Sequence, residues 1–163
     1  MNPVVVQRAE QPYVSISSSV TMGELGVKLP PQISEVFEWL AAHQITPVGP
    51  PLWKYNVIDM GGELEMEVGV PTSELVGGDS RVQGHRMPEG AYAFAHHVGH
   101  PDDLVNATRE LLDWAAREGH AFDVTTPAEG ERWAARFEEY LSSPETEPDM
   151  NRWETNIFFR LAQ

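Results

Sequence analysis

A segment of this chain occurs twice, and the echo limits the available folds more than any other feature. Glu35-Val36-Phe37-Glu38-Trp39-Leu40-Ala41-Ala42 returns 75 residues later as Glu110-Leu111-Leu112-Asp113-Trp114-Ala115-Ala116-Arg117. Both copies have helical periodicity. Ile33, Val36, Phe37, Leu40 and Ala41 form one apolar stripe, with Pro31 in a first turn that tolerates it. Leu104, Thr108, Leu111, Leu112 and Ala115 form the other, with Asp102 as the expected N-cap and Gly119 as the C-terminal stop.

The surroundings repeat as well. Tyr13 to Val20 alternates as a strand before the first helix, and Tyr92 to His96 does so before the second. After the first helix come a strand from Trp53 to Ile58, a Gly61-Gly62 turn and a strand from Glu63 to Val68. After the second come Trp133 to Leu141, an acid- and proline-rich loop from Ser142 to Asn151, and Trp153 to Leu161. The prediction is an α+β fold of duplicated strand-helix-strand-strand units, an antiparallel sheet with helices on one face and a ligand cleft on the other. At 163 residues the chain fits one domain over 1–163, with repeat one about 1–78 and repeat two about 79–163.

Alternation along the strands then sorts the side chains. Trp153, Thr155, Ile157, Phe159 and Leu161 share the face expected beneath a helix, so Glu154, Asn156, Phe158 and Arg160 share the other. Leu64, Met66, Val68 and Val70 sit toward their helix, with Glu63, Glu65 and Glu67 opposite. Extending the pattern places Trp53, Tyr55, Tyr92, Phe94, Arg136, Glu138 and Tyr140 on the acidic side too. Aromatic walls with carboxylates among them suit a flat organic cation better than they suit a merely wetted sheet face. The expected ligand-binding set is Trp53, Tyr55, Glu67, Tyr92, Phe94, Tyr140, Glu154, Asn156 and Phe158.

Charge and composition exclude several alternatives. The net charge of −14 repels phosphate backbones and anionic lipid headgroups, so neither nucleic acid nor membrane is an expected direct partner. With no cysteine, disulfides, thiolate metal sites and cysteine catalysis are excluded. No stretch approaches the roughly 20 apolar residues of a membrane span, and the N-terminus lacks a signal-peptide pattern, so the expected location is cytoplasmic. His96, His97 and His100 do not form a metal site on this reading, because adjacent strand residues face opposite ways and Gly99 and Pro101 prevent one helix from presenting all three. Neither a metal nor a cofactor is expected. Trp39 and Trp114 occupy equivalent helix positions and are assigned to packing.

In the order and spacing of several segments the chain resembles the GyrI-like (gyrase-inhibitor-like) effector-binding domains. The segments are Gln11-Pro12-Tyr13-Val14, Val36-Phe37-Glu38-Trp39-Leu40, Glu63 through Pro71, Gly90-Ala91-Tyr92-Ala93 with His97-Val98-Gly99, and Trp153-Glu154-Thr155. The resemblance implies two pseudo-symmetric halves with a cleft that takes apolar or aromatic, in some cases cationic, small molecules without a cofactor. It matches Tyr92 to a family tyrosine and Glu67 to a first-half acid, and it places Asn156 where relatives often carry glutamate, with Glu154 as the substitute. A DNA-binding helix-turn-helix is not expected from this sequence, which resembles the stand-alone members that bind or sequester a compound. Two rival readings remain. One is a hydrolase of strained, cyclopropane-bearing natural products using Glu154, Glu67, Tyr92 or Tyr140, although no catalytic residue can be assigned from sequence. The other is an acidic interaction module masking a protein partner such as gyrase.

Overall fold

The computed structural model describes residues 1–59, 61–128 and 130–163. Among the described residues, ten strands and three α-helices follow one another as β1 (Val4–Arg8), β2 (Gln11–Val20), α1 (Leu25–Lys28), α2 (Pro30–Ala42), β3 (Leu52–Ile58), β4 (Leu64–Pro71), β5 (Gln83–Met87), β6 (Gly90–Val98), α3 (Leu104–Arg117), β7 (Val124–Thr125), β8 (Glu131–Trp133), β9 (Arg136–Tyr140) and β10 (Glu154–Arg160). The strands join one antiparallel sheet in the order β1-β6-β10-β9-β3-β4-β2-β5, with β8 pairing β3 and β7. The fold is α+β, and its two halves are the expected strand-helix-strand-strand units, β2-α2-β3-β4 and β6-α3-β9-β10.

The halves meet where β3 pairs β9 through Leu52↔Glu139, Trp53↔Glu138 and Lys54↔Phe137. They also exchange edge strands. β1 precedes the first unit in sequence yet pairs β6 of the second, and β5 precedes the second yet pairs β2 of the first. Each half's sheet is thus edged by a strand from the other half of the chain.

Both helices bury one stripe. Val36 and Leu40 of α2 pack on Val14, Ile16 and Val70, while Leu29, just before α2, packs with Val20, Leu64, Met66 and Val68. Ala107 and Leu111 of α3 pack on Ala93, Ala95, Ile157 and Phe159. The start of α3 differs from expectation. A 3₁₀ turn, Pro101–Asp103, precedes it, capped by the His100 ring, which accepts the Asp102 N–H at 3.1 Å, and the N-cap of α3 itself is Asp103, whose side chain makes no capping hydrogen bond. Gly119 ends the helix with φ +77°, a conformation glycine adopts without steric cost. Trp39 and Trp114 lie half-buried against their helices' clusters, and Trp39 also donates to Asp79 at 2.9 Å.

The segment between β4 and β5 lies tight against the sheet at Gly84, where a Cβ would stand 1.9 Å from the Val76 carbonyl oxygen. Gly84→Ala must push that backbone away. The expected loss is about 1–3 kcal/mol in urea unfolding, and an unchanged midpoint would show that the segment yields freely.

Candidate ligand-binding site

Strand register assigns every side chain of the central sheet to a face. Opposite the helices, Tyr13, Leu52, Tyr92, Phe137 and Phe158 cluster with Met87 and Ala135, and Val6 and Phe94 pack against them. β2 and β6 lie five strand spacings apart in the sheet, about 24 Å if it were flat. Yet Tyr13 and Tyr92 share this cluster, and the Tyr13 phenol, held above its ordinary pKa mainly by burial and by Glu67, also feels Tyr92. The sheet is therefore curled, with this face inside. Its rings are closely packed. Phe137 and Phe158 stack at 4.8 Å, Phe94 lies 5.0 Å from Phe158, and Tyr92 meets Phe137 edge-on at 5.9 Å. Burial pushes the Tyr92 phenol up to about 12, and it donates to the Pro88 carbonyl.

The inner-face acids already have partners. Glu67 is buried, with Oε1 accepting from Tyr13 at 2.8 Å and Ser15 at 2.7 Å, and Oε2 accepting from Asn56 at 2.7 Å beside the Lys54 ammonium at 3.5 Å. Burial alone would raise its pKa, but Lys54 and the three hydrogen bonds outweigh that and leave it below the usual range. Asn156 bonds the His96 ring at 2.7 Å and donates to Glu139 at 3.2 Å, and the exposed Glu154 sits 3.0 Å from His96 Nε2. Glu139 lies 3.7 Å from Arg8. Of the expected residues, Glu67, Tyr92, Phe94, Glu154, Asn156 and Phe158 therefore share the inner face.

Trp53, Tyr55, Arg136, Glu138 and Tyr140 do not join them, which corrects the expected alternation. A bulge at Asn56 shifts the β3–β4 register between Tyr55↔Met66 and Val57↔Glu65. Tyr55 and Trp53 thereby take the helix side with Met66 and Val68, while Val57 faces inward with Glu65. The break between β8 and β9 does the same in the second half. Trp133 packs on the helix side and Ala135, two residues on, packs inside, so Phe137 and Glu139 point inward. A period-two count carried through either irregularity arrives on the wrong face. Glu139 was missed for that reason.

On the helix side the displaced residues form a floor. α2 packs over β2 and β4 and α3 over β6, while β3 and β9 run between them. Trp53, Tyr55, Arg136 and Tyr140 are half-buried there, and Trp53 and Tyr55, like Leu25 and Ile33, pack against the cluster of Val20, Leu29, Leu64, Met66 and Val68. At the centre is Glu138, only 5% exposed. Its Oε1 accepts from Tyr55 at 2.6 Å and Tyr140 at 3.2 Å. Among the described residues Oε2 takes no hydrogen bond and no cation lies within ion-pair distance. Burial raises the Glu138 pKa, against the opposing pull of the two phenols, Arg136 and His97. Burial and the neighbouring carboxylate likewise hold Tyr55 and Tyr140 well above the ordinary phenol value.

Trp53 meets Tyr140 edge-on at 5.2 Å. Its indole N–H and His97 Nε2 are enclosed with no hydrogen-bond partner among the described residues. At one end, the Arg136 guanidinium lies 4.5 Å from the Phe159 ring, 4.8 Å from Trp133 and 5.5 Å from Tyr55, beside a cavity of about 480 Å³ lined in part by Ile58, Thr126 and Pro127. Burial lowers its pKa. The floor thus joins ring faces to a buried carboxylate that has no cation within ion-pair distance among the described residues, the Arg136 guanidinium acting on it only from farther off. His96 and His97 face opposite sides, and the described residues contain no group of three or more side chains placed to hold a metal. No helix among them is long and apolar enough to cross a membrane.

The family model for the GyrI-like small molecule binding domain matches residues 1–162, and the chain belongs to that family. No curated protein matches the sequence. Among solved structures, the C-terminal domain of EcmrR is similar with TM-score 0.76 and 16% identity, covering 99% of this chain and 98% of that one. Against EcmrR in its complex with DNA the TM-score is 0.78 at 17% identity, and this chain spans 57% of that one. SAV2435 bound to tetraphenylphosphonium is similar with TM-score 0.60 and 10% identity, covering 99% and 94%. A hydrolase from Listeria innocua gives 0.61 and 16%, covering 98% and 91%. At these identities the structures establish a shared fold.

Proposed function

We propose that this domain binds aromatic or lipophilic organic cations in the groove between α2 and α3, on the floor of Trp53, Tyr55, Tyr140 and Glu138. The observation that carries the reading is the contrast between the two buried carboxylates. Glu67 has both oxygens occupied and Lys54 beside it, whereas Glu138 has two phenol donors on one oxygen and no cation within ion-pair distance among the described residues. A desolvated acid of that kind gains most from a positively charged guest, and the surrounding rings supply stacking surface of little sequence or shape selectivity. Glu67, Tyr92, Phe94, Asn156 and Phe158 then serve chiefly to hold the curled inner face together. The ligand complex of SAV2435 supports the choice of probe.

Tetraphenylphosphonium and tetraphenylborate have nearly the same shape and opposite charge. Calorimetric titration is expected to show saturable binding of the cation and none of the anion. Equal binding of both would mean that the groove recognises apolar surface alone.

A second reading has one observation in its favour. The Glu138 carboxyl with two phenols could orient water and donate a proton, as hydrolysis of a strained ring requires. Products detected by mass spectrometry with this protein, and absent with Glu138→Gln, would support that reading.

A further inference from the structure

On the inner face the chain lays a cation of its own over an aromatic pair. Arg8 lies on β1, an edge strand paired with β6 alone, and its side chain reaches across the inner face. Its guanidinium carbon is 4.4 Å from the centroid of Phe158 and 5.2 Å from that of Phe137. One nitrogen stands 3.7 Å from Glu139 Oε2, while Oε1 of the same carboxylate is held by the Asn156 amide. Two stacked rings, a fixed carboxylate and a planar cation over them reproduce the complement expected of a bound aryl cation. The pseudo-equivalent position in the other half is neutral. Met87 of β5 pairs Gln11 just as Arg8 of β1 pairs Gly90, so the plug belongs to one half only.

We propose that Phe137, Phe158, Glu139 and Asn156 form a second organic-cation site for aryl amidinium or guanidinium compounds, kept closed by Arg8 acting as a tethered occupant. A tethered group competes at an effective concentration on the order of millimolar, so a free cation binds weakly until the tether is removed. Arg8 also supplies selectivity, since it confines weak cations to the interhelical groove. This site stands independently of the groove assignment.

The probe is benzamidinium, titrated by calorimetry into the wild-type chain, Arg8→Ala, and Arg8→Ala combined with Glu139→Gln or with Glu138→Gln. Circular dichroism and urea unfolding monitor the fold. Arg8→Ala is expected to gain a site at least about tenfold tighter than any wild-type binding outside the groove. That gain should disappear with Glu139→Gln and persist with Glu138→Gln. A gain that survives Glu139→Gln, or no gain in a folded Arg8→Ala, overturns the proposal. Should Arg8→Ala fail to fold, nitrogen-15 NMR of the wild-type arginine side chains provides the test. Benzamidinium should shift the Arg8 Nε resonance as it displaces the guanidinium, and an unmoved resonance at saturating benzamidinium overturns the proposal.

Discussion

Replacing Glu138 with glutamine is expected to weaken tetraphenylphosphonium binding by about ten- to a hundredfold while leaving the fold intact. A partly desolvated ionic contact contributes about 1–3 kcal/mol, and each 1.4 kcal/mol is a factor of ten in affinity. Glutamine keeps the shape and can still accept from Tyr55 and Tyr140, so the loss isolates charge. The pH dependence has a definite sign. Burial raises the Glu138 pKa, and a bound cation favours the ionised form. Binding therefore releases a proton at pH values below the raised pKa, affinity climbs as pH rises, and the climb levels off once Glu138 is ionised in the free protein. Without ligand, a raised folded pKa stabilises the protein at low pH, and that contribution is lost as pH rises through it. Above that pH Glu138→Gln should be neutral or stabilising. Calorimetry from pH 5 to 9 checks both, and a pH-independent affinity in the wild type would show that Glu138 does not meet the cation.

The second large effect is on stability. Glu67→Gln is expected to cost about 3–5 kcal/mol in urea unfolding at pH 7, because it leaves the Lys54 ammonium buried without its counter-charge. It also disturbs an arrangement in which Tyr13, Ser15 and Asn56 from β2 and β3 converge on β4. Lys54→Met combined with Glu67→Leu should recover much of the loss, since replacing a buried pair with apolar groups is far less costly than breaking it. With its folded pKa lowered, Glu67 stabilises the protein above the unfolded carboxylate value of about 4.3, and that contribution disappears as pH falls through the folded value. The variant should therefore lose less stability than the wild type on acidification. A cost under about 0.5 kcal/mol would place Glu67 among solvated groups, contrary to its burial.

Sequence periodicity was a good guide wherever a strand ran regularly beneath a helix. Val14, Ile16 and Val20, Leu64 through Val70, and Ile157 and Phe159 all lie where alternation puts them, as do Tyr92, Phe94 and Phe158 on the inner face. The central strands resisted because each contains one irregularity. The Asn56 bulge and the kink at Ala134-Ala135 each reverse the phase, and neither has a glycine or proline to announce it. That reversal gathers Trp53, Tyr55 and Tyr140 around Glu138 and away from Tyr92. The exchange of β1 and β5 was also hidden. Val4-Val5-Val6 carries a strand signal, but the identity of its partner depends on long-range pairing that local pattern does not encode. Arg8 inherits its place over Phe158 from that pairing.

The central claim is that the cation's place is over Glu138 between α2 and α3. A crystal structure of the protein grown with tetraphenylphosphonium tests it most directly. The expected result is the phosphonium centred over Trp53, Tyr55 and Tyr140 with Glu138 as the nearest charged group, and the Phe137–Phe158 stack still covered by Arg8. A phosphonium seated on the inner face beside Tyr92 and Phe158, with the interhelical floor unchanged, would contradict it.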